Sequence, residues 1–139
     1  MGPAGSGRHA RPPRDAAVLL SVALGGGLGS LARYGMAAAL PPGSGFPWST
    51  FFVNTVGCLL IGAVVVLSTE RWRPLSLARP FLGAGVLGGF TTYSTVMLEL
   101  RTLGARGQWA LAEVYGAGTL VTGLLCVWAG VAVTRRLVR

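Results

Sequence analysis

The chain has 139 residues, of which 52% are hydrophobic and 12% charged, and its mean hydropathy is +0.60. That length holds one small domain, and that composition excludes an ordinary soluble globule in favour of a membrane protein. The net charge of +8 comes from arginine alone, and the arginines flank apolar stretches instead of forming one basic face, which argues against nucleic acid as a partner.

Residues 1–15 are rich in Gly, Pro and Arg, carry no apolar period, and read as a disordered cytoplasmic tail with His9 as a solvated residue. A first span follows over about 16–39. Its glycines, Gly25, Gly26, Gly27 and Gly29, have no preceding strand to make a nucleotide loop, and their spacing suits close helix approach in lipid. The same test disposes of the GxGxxG match from Gly83 to Gly88. Arg33, near the far end of this span, either snorkels to the headgroups or attracts an anion; both readings are open.

The Pro41–Pro47 stretch is a turn, since prolines end the helix and glycines permit the reversal. Trp48, an interfacial aromatic, opens a second span over about 48–69. Asn54 stands alone there among apolar neighbours, as interhelical glue or as part of a polar pathway. A charged connector, 70–79, leads to a third span over about 80–103. The middle of that span, Gly88-Gly89-Phe90-Thr91-Thr92, is poor membrane helix: two glycines weaken it, and hydroxyls compete for the backbone. Either small residues ease helix packing here, with threonines bonded back to i−4 carbonyls, or the helix breaks at mid-membrane to handle ions.

A turn over 104–108 precedes the fourth span, about 109–133, in which Tyr115, Thr119 and Thr122 recur at helical spacing as a polar stripe. Hydroxyls satisfied by their own helix are the other reading of that stripe. Residues 135–139 form a basic tail, leaving 16–134 as the membrane domain. Cys58 and Cys126 fall inside spans and read as small packing residues. One tail histidine and four carboxylates, Asp15, Glu70, Glu99 and Glu113, make no triad, metal cluster or acid/base pair, so an enzyme is not expected.

With four spans, both termini and the second connector share one side. That side carries Arg8, Arg11, Arg14, Arg71, Arg73, Arg79, Arg135, Arg136 and Arg139, against Arg33, Arg101 and Arg106 on the other. The positive-inside rule therefore predicts one preferred orientation, with both termini cytoplasmic, and the plasma membrane is the expected location. Four short spans offer little surface for a self-contained core, so an oligomer is expected.

Three motifs together resemble the bacterial fluoride channel family (Fluc, also called CrcB). They are Gly26-x-x-Gly29-x-x-x-Arg33-Tyr34, then Trp48-x-Thr50-x-x-Val53-Asn54-x-x-Gly57, then Gly88-Gly89-Phe90-Thr91-Thr92-Tyr93-Ser94-Thr95, with Glu99 at the family's spacing. The resemblance covers all four spans. It implies an all-α membrane protein whose third helix is broken at mid-membrane, assembled as an antiparallel dimer with two fluoride pores along the interface. By that resemblance the backbone carbonyls of Gly88 and Thr91 from both subunits hold a structural Na⁺. The resemblance further implies that Asn54 donates its amide to fluoride, that Thr50, Tyr93, Ser94, Tyr115 and Thr119 belong to the pore, and that Arg33 stands near its vestibule. The chemistry is coherent, because a strongly hydrated anion leaving water needs replacement donors, which hydroxyl, amide and aromatic ring-edge groups supply.

The chain departs from that pattern at three places. Tyr93 and Val96 stand where the family usually has phenylalanines, and Gly123 where it often has a serine. The departures and the unbalanced arginines lead us to expect a heterodimer with a related, oppositely oriented subunit rather than a homodimer. Other readings are a small four-helix drug exporter and a non-conducting structural subunit. The exporter wants a carboxylate deep in its first span, and 16–32 contains none.

Overall fold

A computed structural model of the chain describes residues 13–40, 45–72 and 77–139, and the regular structure among them is helical. The expected tail up to residue 12, and parts of the first two connectors (41–44 and 73–76), lie outside the described residues. Helix α1 runs Pro13–Ala39, α2 Trp48–Glu70 and α5 Trp109–Val138. Between α2 and α5 lie a π-wound segment, Pro80–Leu87, a short turn α3, Gly88–Phe90, and α4, Ser94–Ala105. The stretches Asp15–Ala39, Trp48–Glu70, Pro80–Ala105 and Trp109–Val138 are each long and apolar enough to cross a membrane.

The ends differ from the sequence reading. Helix α1 already begins at Pro13, a residue whose fixed φ and missing N–H suit a first helical position. Helix α5 continues through Arg135 and Arg136, which were expected in a tail; positive side chains favour the carbonyl end of a helix. The π winding of Pro80–Leu87 had no counterpart in the sequence reading.

Lipid tails are as apolar as leucine, so the helices associate through close backbone packing rather than burial of oil from water. Two seams show it. Gly25 and Gly29 of α1 lie against the carbonyls of Phe81 and Val86, where any Cβ would collide with main chain. Gly62 of α2 lies on the Val127 carbonyl, and Gly130 of α5 on the Leu59 carbonyl. Along that second seam the partners climb together, Cys58 with Gly123, Gly62 with Gly130 and Glu70 with Arg135, so α2 and α5 run parallel. Cys58 and Cys126 are free and half-buried.

Each end of the α2–α5 pair is fastened. At one end Arg135 Nε meets Glu70 Oε1 at 3.3 Å, and Arg71 Nη2 donates to the Val138 carbonyl at 3.1 Å. At the other, Phe51 of α2 packs against a small core of Val96, Leu103, Ala112 and Tyr115 that joins α4 to α5. Gly107, at φ 73°, makes the left-handed turn between those two helices.

Candidate functional site

The helical backbone of the third stretch lapses after Phe90. Thr91 is extended (φ −75°, ψ 158°), and helix resumes at Ser94. The cause lies in side chains that outbid the helix for its own N–H groups. Thr91 N–H still donates to the Leu87 carbonyl at 3.0 Å, and its hydroxyl donates to the same oxygen at 2.9 Å. The next N–H, of Thr92, goes instead to Asn54 Oδ1 at 2.9 Å, while Asn54 Nδ2 donates back to the Thr92 carbonyl at 2.9 Å. Asn54 thus pairs with Thr92 as a neighbouring backbone would.

Thr92 in turn accepts the N–H of Thr95 on its hydroxyl at 3.2 Å, which starts α4. That hydroxyl also lies 2.9 Å from Thr95 Oγ1 and 3.3 Å from Ser94 Oγ, so three hydroxyls gather beside the lapse. From α1, Ser30 Oγ donates to the Gly89 carbonyl at 3.5 Å and Arg33 Nη1 to the Thr91 carbonyl at 3.4 Å.

Along α4, one turn beyond Thr95, stands a second polar group. Thr50 Oγ1 donates to Glu99 Oε1 at 2.7 Å, and the Tyr115 hydroxyl donates to Glu99 Oε2 at 2.6 Å. Tyr115 is 0% exposed and Thr50 is buried, so each hydroxyl needs the partner it has. The Phe46 ring stands edge-on to Tyr115, with centroids 5.3 Å apart at 87°, and closes one side of the group. A cavity of about 660 Å³ opens beside it, lined by Thr50, Thr95, Glu99, Thr102 and Arg106 among others.

The structure therefore gathers Thr50 and Tyr115 at Glu99, and Asn54 and Ser94 at Thr92. Thr119 lies one turn from Tyr115 and donates its hydroxyl to the Tyr115 carbonyl at 2.7 Å, so its own helix satisfies that hydrogen. Arg33, Gly88 and Thr91 stand at or beside the lapse. Tyr93 stands apart, 76% exposed on the outside of the chain. Glu99 joins the site although the sequence reading did not place it there; the signal was a carboxylate inside an otherwise apolar span. Phe46 was likewise read only as part of a turn.

The family described as CrcB-like protein, Camphor Resistance (CrcB), matches residues 20–131. The chain belongs to the CrcB family. Among CrcB relatives, the fluoride-specific ion channel FluC 2 of Nocardia farcinica is 49% identical over 126 residues, covering 89% of this chain and 89% of that protein. The fluoride-specific ion channel FluC 1 of Streptomyces coelicolor is 44% identical over 138 residues, covering 95% of this chain and 90% of that protein. The fluoride-specific ion channel FluC of Thermus thermophilus is 49% identical over 113 residues, covering 80% of this chain and 88% of that protein. The CrcB match spans every residue of the two polar groups. Within it, Val96 is 6% exposed and packs in the small core with Leu103 and Tyr115, so this position faces the chain's own interior.

Proposed function

We propose that the chain is a subunit of a passive, fluoride-selective channel that lets cytoplasmic fluoride run out of the cell. One observation carries the reading: the relatives described above are named fluoride-specific ion channels, and the matched region holds both polar groups intact. A path of hydroxyls from the cavity past Glu99, Thr95 and Thr92 toward Asn54 supplies donors in series. The hydrogens of Thr50 and Tyr115 rest on the Glu99 oxygens and turn to the anion as it passes, standing in for lost water. Asn54 keeps one amide hydrogen beyond the one given to Thr92, and this is its donor to fluoride. Tyr93 and Ser94 complete the path from the outer face of the chain, where a second subunit would meet them.

The lapse at Thr91–Tyr93 lies at mid-membrane in this reading, and the carbonyls of Gly88 and Thr91 hold a structural Na⁺ with their counterparts in a second subunit. The donor set fits: these are hard oxygens, Gly88 is exposed, and the Thr91 carbonyl already draws a guanidinium. When bound, the ion would fasten two such lapses together by charge. The second subunit is a paralogue in the opposite orientation, because nine arginines on one side against three on the other bias this chain to insert one way. That some relatives are numbered FluC 1 and others FluC 2 supports the existence of such paralogues. Both termini then lie in the cytoplasm.

The test is fluoride resistance in a bacterium lacking its own fluoride exporter. We expect resistance when the chain is expressed with the paralogue and none with either alone. Resistance from this chain alone overturns the heterodimer. Sensitivity in every strain, with both proteins present in the membrane, overturns the channel reading and favours a structural subunit.

A further inference from the structure

In an unbroken α-helix each carbonyl accepts the N–H four residues on. For Gly88 that donor is Thr92, and for Thr91 it is Thr95. Both N–H groups are spoken for: Thr92 N–H goes to Asn54 Oδ1 at 2.9 Å, and Thr95 N–H to Thr92 Oγ1 at 3.2 Å. Two carbonyls spaced three residues apart thus lose their helical donors to two different side chains. The neighbouring Leu87 carbonyl, by contrast, takes both the N–H and the hydroxyl of Thr91. A carbonyl without a donor in a membrane is costly unless something positive meets it. One positive group already does: Arg33 Nη1 reaches the Thr91 carbonyl at 3.4 Å.

We propose that Asn54 and Thr92 are the positioning residues of the cation site, acting by diverting the two N–H groups that would otherwise close over Gly88 and Thr91. This rests on the Na⁺ reading above and assigns roles that go beyond it. Asn54 serves the cation through its oxygen and the path through its nitrogen, two tasks on opposite atoms of one amide. The Thr92 hydroxyl serves as an acceptor for Thr95 and needs no contact with the ion. Arg33 holds the Thr91 carbonyl until a cation replaces it.

The two side chains can be tested separately by substitutions that keep or remove one acceptor. Asn54→Asp keeps an oxygen for the Thr92 N–H, whereas Asn54→Leu removes it. Thr92→Ser keeps the hydroxyl, whereas Thr92→Val removes it at nearly constant shape. The purified full chain, with its partner subunit if one is needed for assembly, is melted across a series of NaCl concentrations. Ionic strength is held constant with N-methylglucamine chloride, and the half-point, the Na⁺ concentration at which half of the native protein holds the ion, is read from the onset of the rise in melting temperature. We expect a Na⁺-specific rise in the native protein, about the same or a lower half-point in Asn54→Asp and Thr92→Ser, and a half-point raised at least about tenfold in Asn54→Leu and Thr92→Val. Native half-points in both Asn54→Leu and Thr92→Val overturn the proposal. If Asn54→Leu does not fold, Thr92→Val decides. A native protein with no Na⁺-specific rise overturns the Na⁺ reading itself, and the roles assigned here fall with it.

Discussion

Thr50 and Tyr115 each place one hydroxyl hydrogen on a different oxygen of Glu99, and that geometry makes the three residues a unit. Removing one hydroxyl leaves a half-buried carboxylate oxygen short of a donor, so Tyr115→Phe and Thr50→Val should each cost about 1–3 kcal/mol in stability. A double-mutant cycle of Tyr115→Phe with Glu99→Gln should show coupling of at least about 0.5 kcal/mol, read from denaturant unfolding. Additive losses would mean that the hydroxyl and the carboxylate do not act together. Val96 supplies a second prediction at this scale. Because it sits in the core beside Leu103 and Tyr115, Val96→Phe should overpack that core and destabilise by about 1–3 kcal/mol, measured in the same way. A ring there is an intrusion on this chain's interior, whatever phenylalanine does at the matching position in other family members.

The helices show which features were legible in the sequence. Four apolar stretches announced themselves by length, and glycine spacing announced close helix contacts, because both signals are local. The weak point of the third stretch was also visible, but its cause was not. Helix continues through Gly88 and Gly89 to Phe90, and Gly89 is used to approach Gly26 of α1. The lapse comes at Thr91–Tyr93, where Asn54 takes the Thr92 backbone from 38 residues away in sequence. Partners of that kind depend on the register between helices, which no single stretch encodes. For the same reason Glu99 was legible as an odd carboxylate but not as the acceptor of two hydroxyls. The seams yield a paired prediction. Gly130→Ala puts a Cβ into the Leu59 carbonyl and should destabilise by at least about 1–3 kcal/mol. Gly27→Ala meets nothing within 4 Å and should stabilise by about 0.5–1 kcal/mol through helix propensity alone. Equal effects of the two changes in unfolding experiments would contradict the seam.

One chain offers a parallel α2–α5 pair fastened at both ends, a stretch with a lapsed backbone, and a mostly apolar cavity that the Thr50–Glu99 group borders. Large apolar side chains such as Leu24, Leu28, Leu124 and Trp128 cover the outside, as lipid or a second chain requires. The arginine imbalance predicts that reporters fused to either terminus of the chain expressed alone will be found in the cytoplasm. Equal populations on both sides would remove the reason for a paralogous partner. Ion efflux from liposomes tests whether fluoride crosses the membrane through the hydroxyl donors of this fold, as proposed above. Vesicles loaded with equal fluoride and chloride carry the purified chain together with its paralogue, and an electrode for each anion follows release. Rapid fluoride release with chloride retained is expected, and at least about a tenfold slower fluoride release when Tyr115→Phe replaces the native residue in this chain. Retention of both anions, or release of fluoride and chloride at similar rates, would contradict the proposal.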